Sequence, residues 1–360
     1  MQQGRPLDRV GAFCDRFGLR MPVLMAPMAS ACPPALAVAV ANAGGMGGCG
    51  CMVTQPQGIA EWIANFRAGS NGAVQLNLWI PDPPPRRDAA HEAEVRRFLG
   101  GFGPEVPVEA AEVRMPDFAA QCAAMLAARP VAISSVMGLY PPEFVAQMKA
   151  QGIAWMATVT TVAEALAAEA AGADVIVAQG AEAGGHRGAF EAAEAERQAV
   201  GLFALVPAVA DAVRLPIVAA GSIADGRTAA AALLLGASAV QLGTALLRSP
   251  EAAIHPAWAA ALEGLRPEDT MLSRAFSGRA GRGVATAYAR AAASPDAPAP
   301  APYPVQRGLT APMRRAGAES NNVERMQAWA GQAARLARVE PAGDIVTRVW
   351  SEAQALLSAA

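Results

Sequence analysis

A chain of 360 residues with 29 basic and 31 acidic side chains carries a formal charge of −2, too weak a field to gather nucleic acid or an anionic membrane surface. Hydrophobic residues make up 53% of it but aromatic ones only 5%, so small aliphatic side chains must carry the burial, as in close-packed layers of helix and sheet. No stretch has the layout of an export signal, and charges interrupt every apolar run before it reaches spanning length; the expectation is a cytoplasmic protein, monomer or homodimer, acting on a small molecule.

Short apolar runs alternate with helical patterns from residue 23 to about 250. Val23 to Ala26 is the first run, stopped by Pro27, and Pro33 to Ala43 then reads as a helix ending at Gly44-Gly45. Met46 to Val53, Ala73 to Leu78, Val131 to Ser134, Ile153 to Thr158, Val175 to Gln179, Ile217 to Ala220 and Ala239 to Leu242 follow. Their nearly continuous apolar character marks strands covered on both faces, hence a parallel sheet. Helix, glycine, strand recurs at Gly152-Ile153, Gly172-Ala173 and Gly236-Ala237, as βα units in series require. Eight units favour closure into a (β/α)8 barrel, an α/β fold, over an open doubly wound sheet.

Residues 79–116, with Pro83-Pro84-Pro85, form an insertion after the third strand, where barrels place substrate contacts. Beyond Leu247 the pattern turns helical. Ser294 to Pro304 reads as extended Ala/Pro-rich chain, and helices are expected over Val323 to Arg338 and Gly343 to Leu357. The expected division is a barrel over 1–250 and a helical extension over 251–360 packed on it.

Composition also narrows the chemistry. Lys149 is the only lysine and falls in a probable helix, Pro142 to Gln151, so a Schiff-base mechanism has no nucleophile at a strand end. Five cysteines, an odd number, argue against a disulfide framework, and Cys49 and Cys51 have no partners that would complete a metal site.

Five segments fall at strand C-terminal ends, the catalytic rim of a barrel. The first, Ala26-Pro27-Met28, says little alone. Gln75 and Asn77 place two amides on one face of an apolar strand, where either a heterocycle or neighbouring backbone would satisfy them. Gln179 ends the sixth strand before Gly184-Gly185-His186-Arg187-Gly188, a loop whose glycines permit close approach to a ligand and whose histidine can exchange a proton near neutrality. His91 and His255 lie in helical segments with no companion motif. Gly221-Ser222 and Gln241-Leu242-Gly243-Thr244 follow strands seven and eight, the usual barrel phosphate cradle. A mononucleotide with its phosphate there and its ring at Asn77 and Gln179 fits both ends, and FMN is such a molecule. Gly45 to Gly50 is not a dinucleotide fingerprint, because it forms a strand and does not follow one.

These motifs, together with Asn42-Ala43-Gly44-Gly45, Asp225-Gly226 and Trp329-Ala330-Gly331-Gln332, resemble the nitronate monooxygenase (2-nitropropane dioxygenase) family, in its bacterial alkyl-nitronate branch. The resemblance implies FMN contacts by Met28, Asn77, Gln179, Gly184, Gly185, Gly221, Ser222 and Gln241 to Thr244, and His186 as catalytic base. It implies oxidation of alkyl nitronates, and of nitroalkanes after loss of a proton, by O2 to a carbonyl compound and nitrite through the flavin semiquinone. Tyr303 and Arg307 would contact substrate if the C-terminal segment covers the rim; a packing tyrosine and a solvated arginine are the alternative. Ser135-Val136-Met137-Gly138 lacks the histidine and aromatics common there in the family. An FMN-dependent enoyl-thioester reductase or NADH:quinone reductase of the same superfamily, or a flavin-binding module without catalysis, are the competing readings.

Overall fold

The computed structural model describes residues 5–358. Eight parallel strands form one sheet: β1 (Val23–Met25), β2 (Gly47–Gly50), β3 (Val74–Trp79), β4 (Ala132–Val136), β5 (Ala154–Val159), β6 (Val175–Gln179), β8 (Ile217–Ala220) and β9 (Ala239–Leu242). β9 pairs with β1, and Leu24 bridges Met46 beside β2, so the sheet closes into the expected barrel. The strands bury both faces, as their unbroken apolar sequences require.

Local chemistry sets the rhythm. Prolines open the helices Pro34–Ala43, Pro56–Gly69 and Pro142–Ala150, where the missing N–H costs nothing. Thr161 and Asp225 cap two others through their side chains. Gly152, Gly172 and Gly236, with φ of 69°, 94° and 121°, turn helix into strand in a conformation that other residues adopt only with strain.

After Leu247 two further strands depart from the helical expectation, and a short earlier one joins them. β10 (Thr270–Ser273) and β11 (Gly281–Val284) form an antiparallel ribbon, to which β7 (Gly185–His186) adds an edge. Val323 to Arg338 is not a helix: only the single 3-10 turns Val323–Arg325 and Ala334–Leu336 occur there. The segment instead crosses the barrel rim extended, with Trp329 bridging Gly283. The 79–116 insertion contains a helix, Ala89–Leu99. Its Val95, Leu99 and Val106 share a separate apolar cluster with Phe276, Tyr288, Leu309 and Met313, so insertion and C-terminal segment are packed as one cap. Residues 294–304 carry no helix or strand.

The final helix, Ala342–Ser358, packs on the helices Gly226–Leu234 and Pro34–Ala43, the places flanking the eighth strand. It therefore covers the eighth unit, and a boundary at 250 separates that strand from its helix. The contact at Gly226 is close: an added Cβ would lie 2.2 Å from Glu352 Cβ and 2.7 Å from Ala353 N. Gly226→Ala is expected to cost about 1–3 kcal/mol through overpacking, read as a lowered denaturant midpoint at unchanged m-value. An unchanged midpoint would show that the helix yields without loss.

Among the described residues no helix is long and apolar enough to cross a membrane. All five cysteines are buried and free.

Candidate active site

At the C-terminal ends of the strands lies a cleft of about 240 Å³. Met28, Asn77, Gln179, Gly184, Gly185, His186, Gly221, Ser222, Gln241, Gly243, Thr244 and Arg307 all line it. Of the residues singled out in the sequence, two stand apart. Leu242 is wholly buried in the barrel core, and Tyr303 lies on an adjoining chamber.

The glycine loop is not a free turn. β7 pairs His186 with Gly281 and Gly185 with Arg282. Gln179 clasps it from inside the barrel, its Nε2 donating to His186 O at 3.1 Å and its Oε1 accepting from Gly188 N at 2.8 Å. The buried Arg187 guanidinium donates to the carbonyls of Gln179, Thr160 and Gln198. Burial lowers its pKa to about 10, so it remains a cation at neutral pH. Glu164 completes the support by accepting from Thr160 N and Phe190 N. These bonds fix the histidine that the loop carries.

The His186 ring sits between two tryptophans, 4.7 Å from Trp79 and 4.8 Å from Trp329, both edge to face. Its Nε2 is 2.7 Å from Ser277 Oγ. Burial pushes its pKa down to about 3, and the cations of Arg279 and Arg307 add to the shift. The imidazole is thus neutral and able to accept a proton. Arg279 is tied to Asp82 at 3.4 Å. No hydrogen bond or ion pair to the Arg307 guanidinium occurs among the described residues, which leaves a cation on the cleft wall for an anionic ligand. Trp79 and Ser277 were not read from the sequence, and Trp329 was read only as part of the motif Trp329 to Gln332, with no place beside His186. Trp79 ends β3 and could have been found by its rim position, whereas Ser277 is 91 residues from His186 and carries no motif.

The opposite end of the cleft is a backbone cradle. Gly221 and Ser222 both have positive φ, 132° and 50°, and among the described residues the amides of Gly221, Ser222 and Gly243 donate to no acceptor in the chain. Unpaired amides at adjacent strand ends suit a phosphate. The C-terminal strap seals one side: Gly331 N donates to Thr244 Oγ1 at 3.0 Å, Gln332 N to Glu182 O at 3.0 Å, and Trp258 Nε1 to Trp329 O at 3.0 Å. Between cradle and histidine, Gln75 Nε2 donates to Gln241 Oε1 at 3.2 Å and Asn77 Nδ2 donates to Ser134. Among the described residues, Nε2 of Gln241 and Oδ1 of Asn77 stay uncommitted on the wall.

A closed parallel barrel with a neutral histidine and a phosphate-type cradle on one rim has the layout of a barrel enzyme's active site. The family described as "Nitronate monooxygenase" matches residues 12–352. The chain is 37% identical over 347 residues to a nitronate monooxygenase of Pseudomonas aeruginosa, covering 94% of this chain and 99% of that one. Among solved structures it is similar to the nitroalkane oxidase from Streptomyces ansochromogenes, with a TM-score of 0.86 and 34% identity over 97% of this chain and 99% of that one. FabK from Thermotoga maritima follows, with a TM-score of 0.75 and 25% identity over 97% of both. The chain belongs to the nitronate monooxygenase family.

Proposed function

We propose that this protein binds FMN and oxidises alkyl nitronates with O2 to a carbonyl compound and nitrite. The observation that carries the reading is the pairing, on one cleft wall, of a neutral imidazole with an uncommitted cation, Arg307. A nitronate is a carbon acid already deprotonated, and its charge matches that cation. The unpaired amides of Gly221, Ser222 and Gly243 suit the cofactor's phosphate, and Asn77 and Gln241 suit the edge of its ring. Met28, Gly184, Gly185 and Thr244 complete the wall.

FMN, when bound, supplies the one-electron chemistry that links substrate to O2. The chain's residues do the rest. Arg307 draws the anion to the wall and holds its nitro oxygens. His186 takes the α-proton when a neutral nitroalkane arrives, converting it to the reactive anion. Trp79 and Trp329 keep water from the ring of His186, which holds it in its neutral form. Overall two nitronates and one O2 give two carbonyl compounds and two nitrites: on each substrate one oxygen atom joins the carbon, the C–N bond breaks, and nitrite leaves with the bond's electrons.

The test uses purified holoenzyme mixed anaerobically with ethyl nitronate or with NADH. Loss of the yellow flavin colour with the nitronate alone, followed by nitrite release on admitting O2, is the expected result. Bleaching by NADH alone would overturn the reading and favour an enoyl-thioester reductase.

A further inference from the structure

Behind the histidine lies a second chamber, of about 210 Å³. It is larger than the ~150 Å³ apolar cavity that suffices to bind benzene. Its walls include Leu78, Ile80, Met115, Phe118 and Tyr303. The polar groups on it are engaged elsewhere. Gln121 Nε2 donates to Cys51 O at 2.9 Å and Thr54 O at 2.8 Å, and Asp82 is paired with Arg279. Met52 and Trp79 line both the chamber and the cleft. The Trp79 ring lies 4.7 Å from His186 on one side and 5.5 Å from Tyr303 on the other. The partition between the two spaces is therefore one side chain thick. Part of it is soft: among the described residues the Tyr303 hydroxyl hydrogen-bonds only to sulfur, Met52 Sδ at 3.3 Å and Met115 Sδ at 4.0 Å. Unbranched thioethers repack at small cost.

We propose that this chamber receives the hydrocarbon tail of the substrate, so that the enzyme is built for nitronates bearing an apolar tail of roughly six carbons in preference to the shortest ones. The inference rests on the nitronate reading for the identity of the reacting head, but the chamber itself is a binding site for alkyl chain. The head stays between His186 and Arg307, the tail passes Met52 and Trp79, and each methylene that enters leaves water for an apolar wall. Tyr303 then acts as a gatepost that packs against the tail and does not bind the nitro group.

The experiment measures two series on the holoenzyme. The first is kcat/KM for straight-chain primary nitronates from ethyl to octyl. The second is the calorimetric Kd of straight-chain carboxylates from propanoate to octanoate, which share the flat, singly charged head and are not oxidised. Both are expected to improve about fourfold per methylene until the chamber is full. Met115→Trp, which fills the chamber, should remove that gain at hexyl and longer while leaving ethyl nitronate and propanoate within twofold of wild type. Phe118→Ala, which enlarges it, should move the optimum to longer chains. If ethyl nitronate is oxidised but both series are flat, or if Met115→Trp impairs short and long chains equally while Phe118→Ala leaves the optimum in place, the proposal is overturned. If no nitronate is oxidised yet carboxylate affinity rises with length, the chamber stands and the nitronate reading fails.

Discussion

Replacing His186 by Asn is expected to lower kcat/KM for neutral nitroethane by about 10²–10⁴-fold, the usual contribution of a positioned general base, while ethyl nitronate keeps most of its rate. The difference arises because only the neutral substrate has a proton to surrender. Asparagine keeps a polar group near Ser277 and fits between Trp79 and Trp329, so the loop held by Gln179 and Arg187 should persist. Equal losses on both substrates would contradict the base role. The pH profile gives a second reading of the same group. Burial and two arginines bring the His186 pKa to about 3, and the unprotonated ring is the active form. Nitroethane oxidation should therefore show no acid limb near pH 6.5, the ordinary histidine value, and should lose this base only as pH falls toward 3. For stability the sign is the same. The unfolded chain takes up a proton below about pH 6.5 that the folded site refuses, so His186 weakens the fold in acid and costs nothing above that range. An acid limb at pH 6–7 that disappears in His186→Asn would refute the depressed value.

The second large effect is expected at Gly184. A Cβ there would lie 2.5 Å from Gly331 N and 2.7 Å from Ala330 C. These are backbone atoms of the C-terminal strap, with no side chain to rotate away. Gly184→Ala must push the strap off the cradle and break the bond from Gly331 N to Thr244 Oγ1. The expected outcome is a protein purified with little yellow colour and an FMN Kd raised at least about tenfold, equivalent to ~1.4 kcal/mol, measured by fluorescence quenching on the apoprotein. Gly152→Ala is the control. Gly152, at a helix-to-strand junction that does not line the cleft, has φ of 69° with open space around it, so alanine there incurs about 1–2 kcal/mol of left-handed strain but displaces nothing from the cradle. Should Gly184→Ala retain FMN as tightly as the unaltered protein, the strap has no part in cofactor binding.

Much of the barrel was legible because its signal is local. The strand read over Val175 to Gln179 occurs at Val175–Gln179, and the helix read over Gly343 to Leu357 occurs at Ala342–Ser358. Met46 to Val53 overran the observed Gly47–Gly50, since the apolar run continues past the point where the backbone leaves the sheet. The cap was not legible. A helix over Val323 to Arg338 agreed with local propensity, but the amides that a helix would consume are instead committed to Thr244 and Glu182, and tertiary bonding overrides a weak prior. Two-residue β7 has no periodicity to detect, so the glycine loop, read as a ligand-facing loop after the sixth strand, is also the edge of a ribbon whose partner, β11, lies about a hundred residues on. The same distance hid Ser277. The aromatic at the end of β3 could have been found by asking which side chain stands at each strand's C-terminus.

The placement of Ala342–Ser358 against Pro34–Ala43 and Gly226–Leu234 bears on how the protein is made. A ribosome releases the eighth strand roughly a hundred residues before the helix that covers it. Until that helix emerges, the apolar flanks of the first and seventh covering helices stand open to chaperones and proteases, and ring closure waits on a contact of long sequence separation, which is slow to form. The cradle strap, just ahead of that helix, is made equally late. If the cleft takes FMN as proposed, its capture follows synthesis of nearly the whole polypeptide, and FMN supply should influence how much of each newly made chain survives.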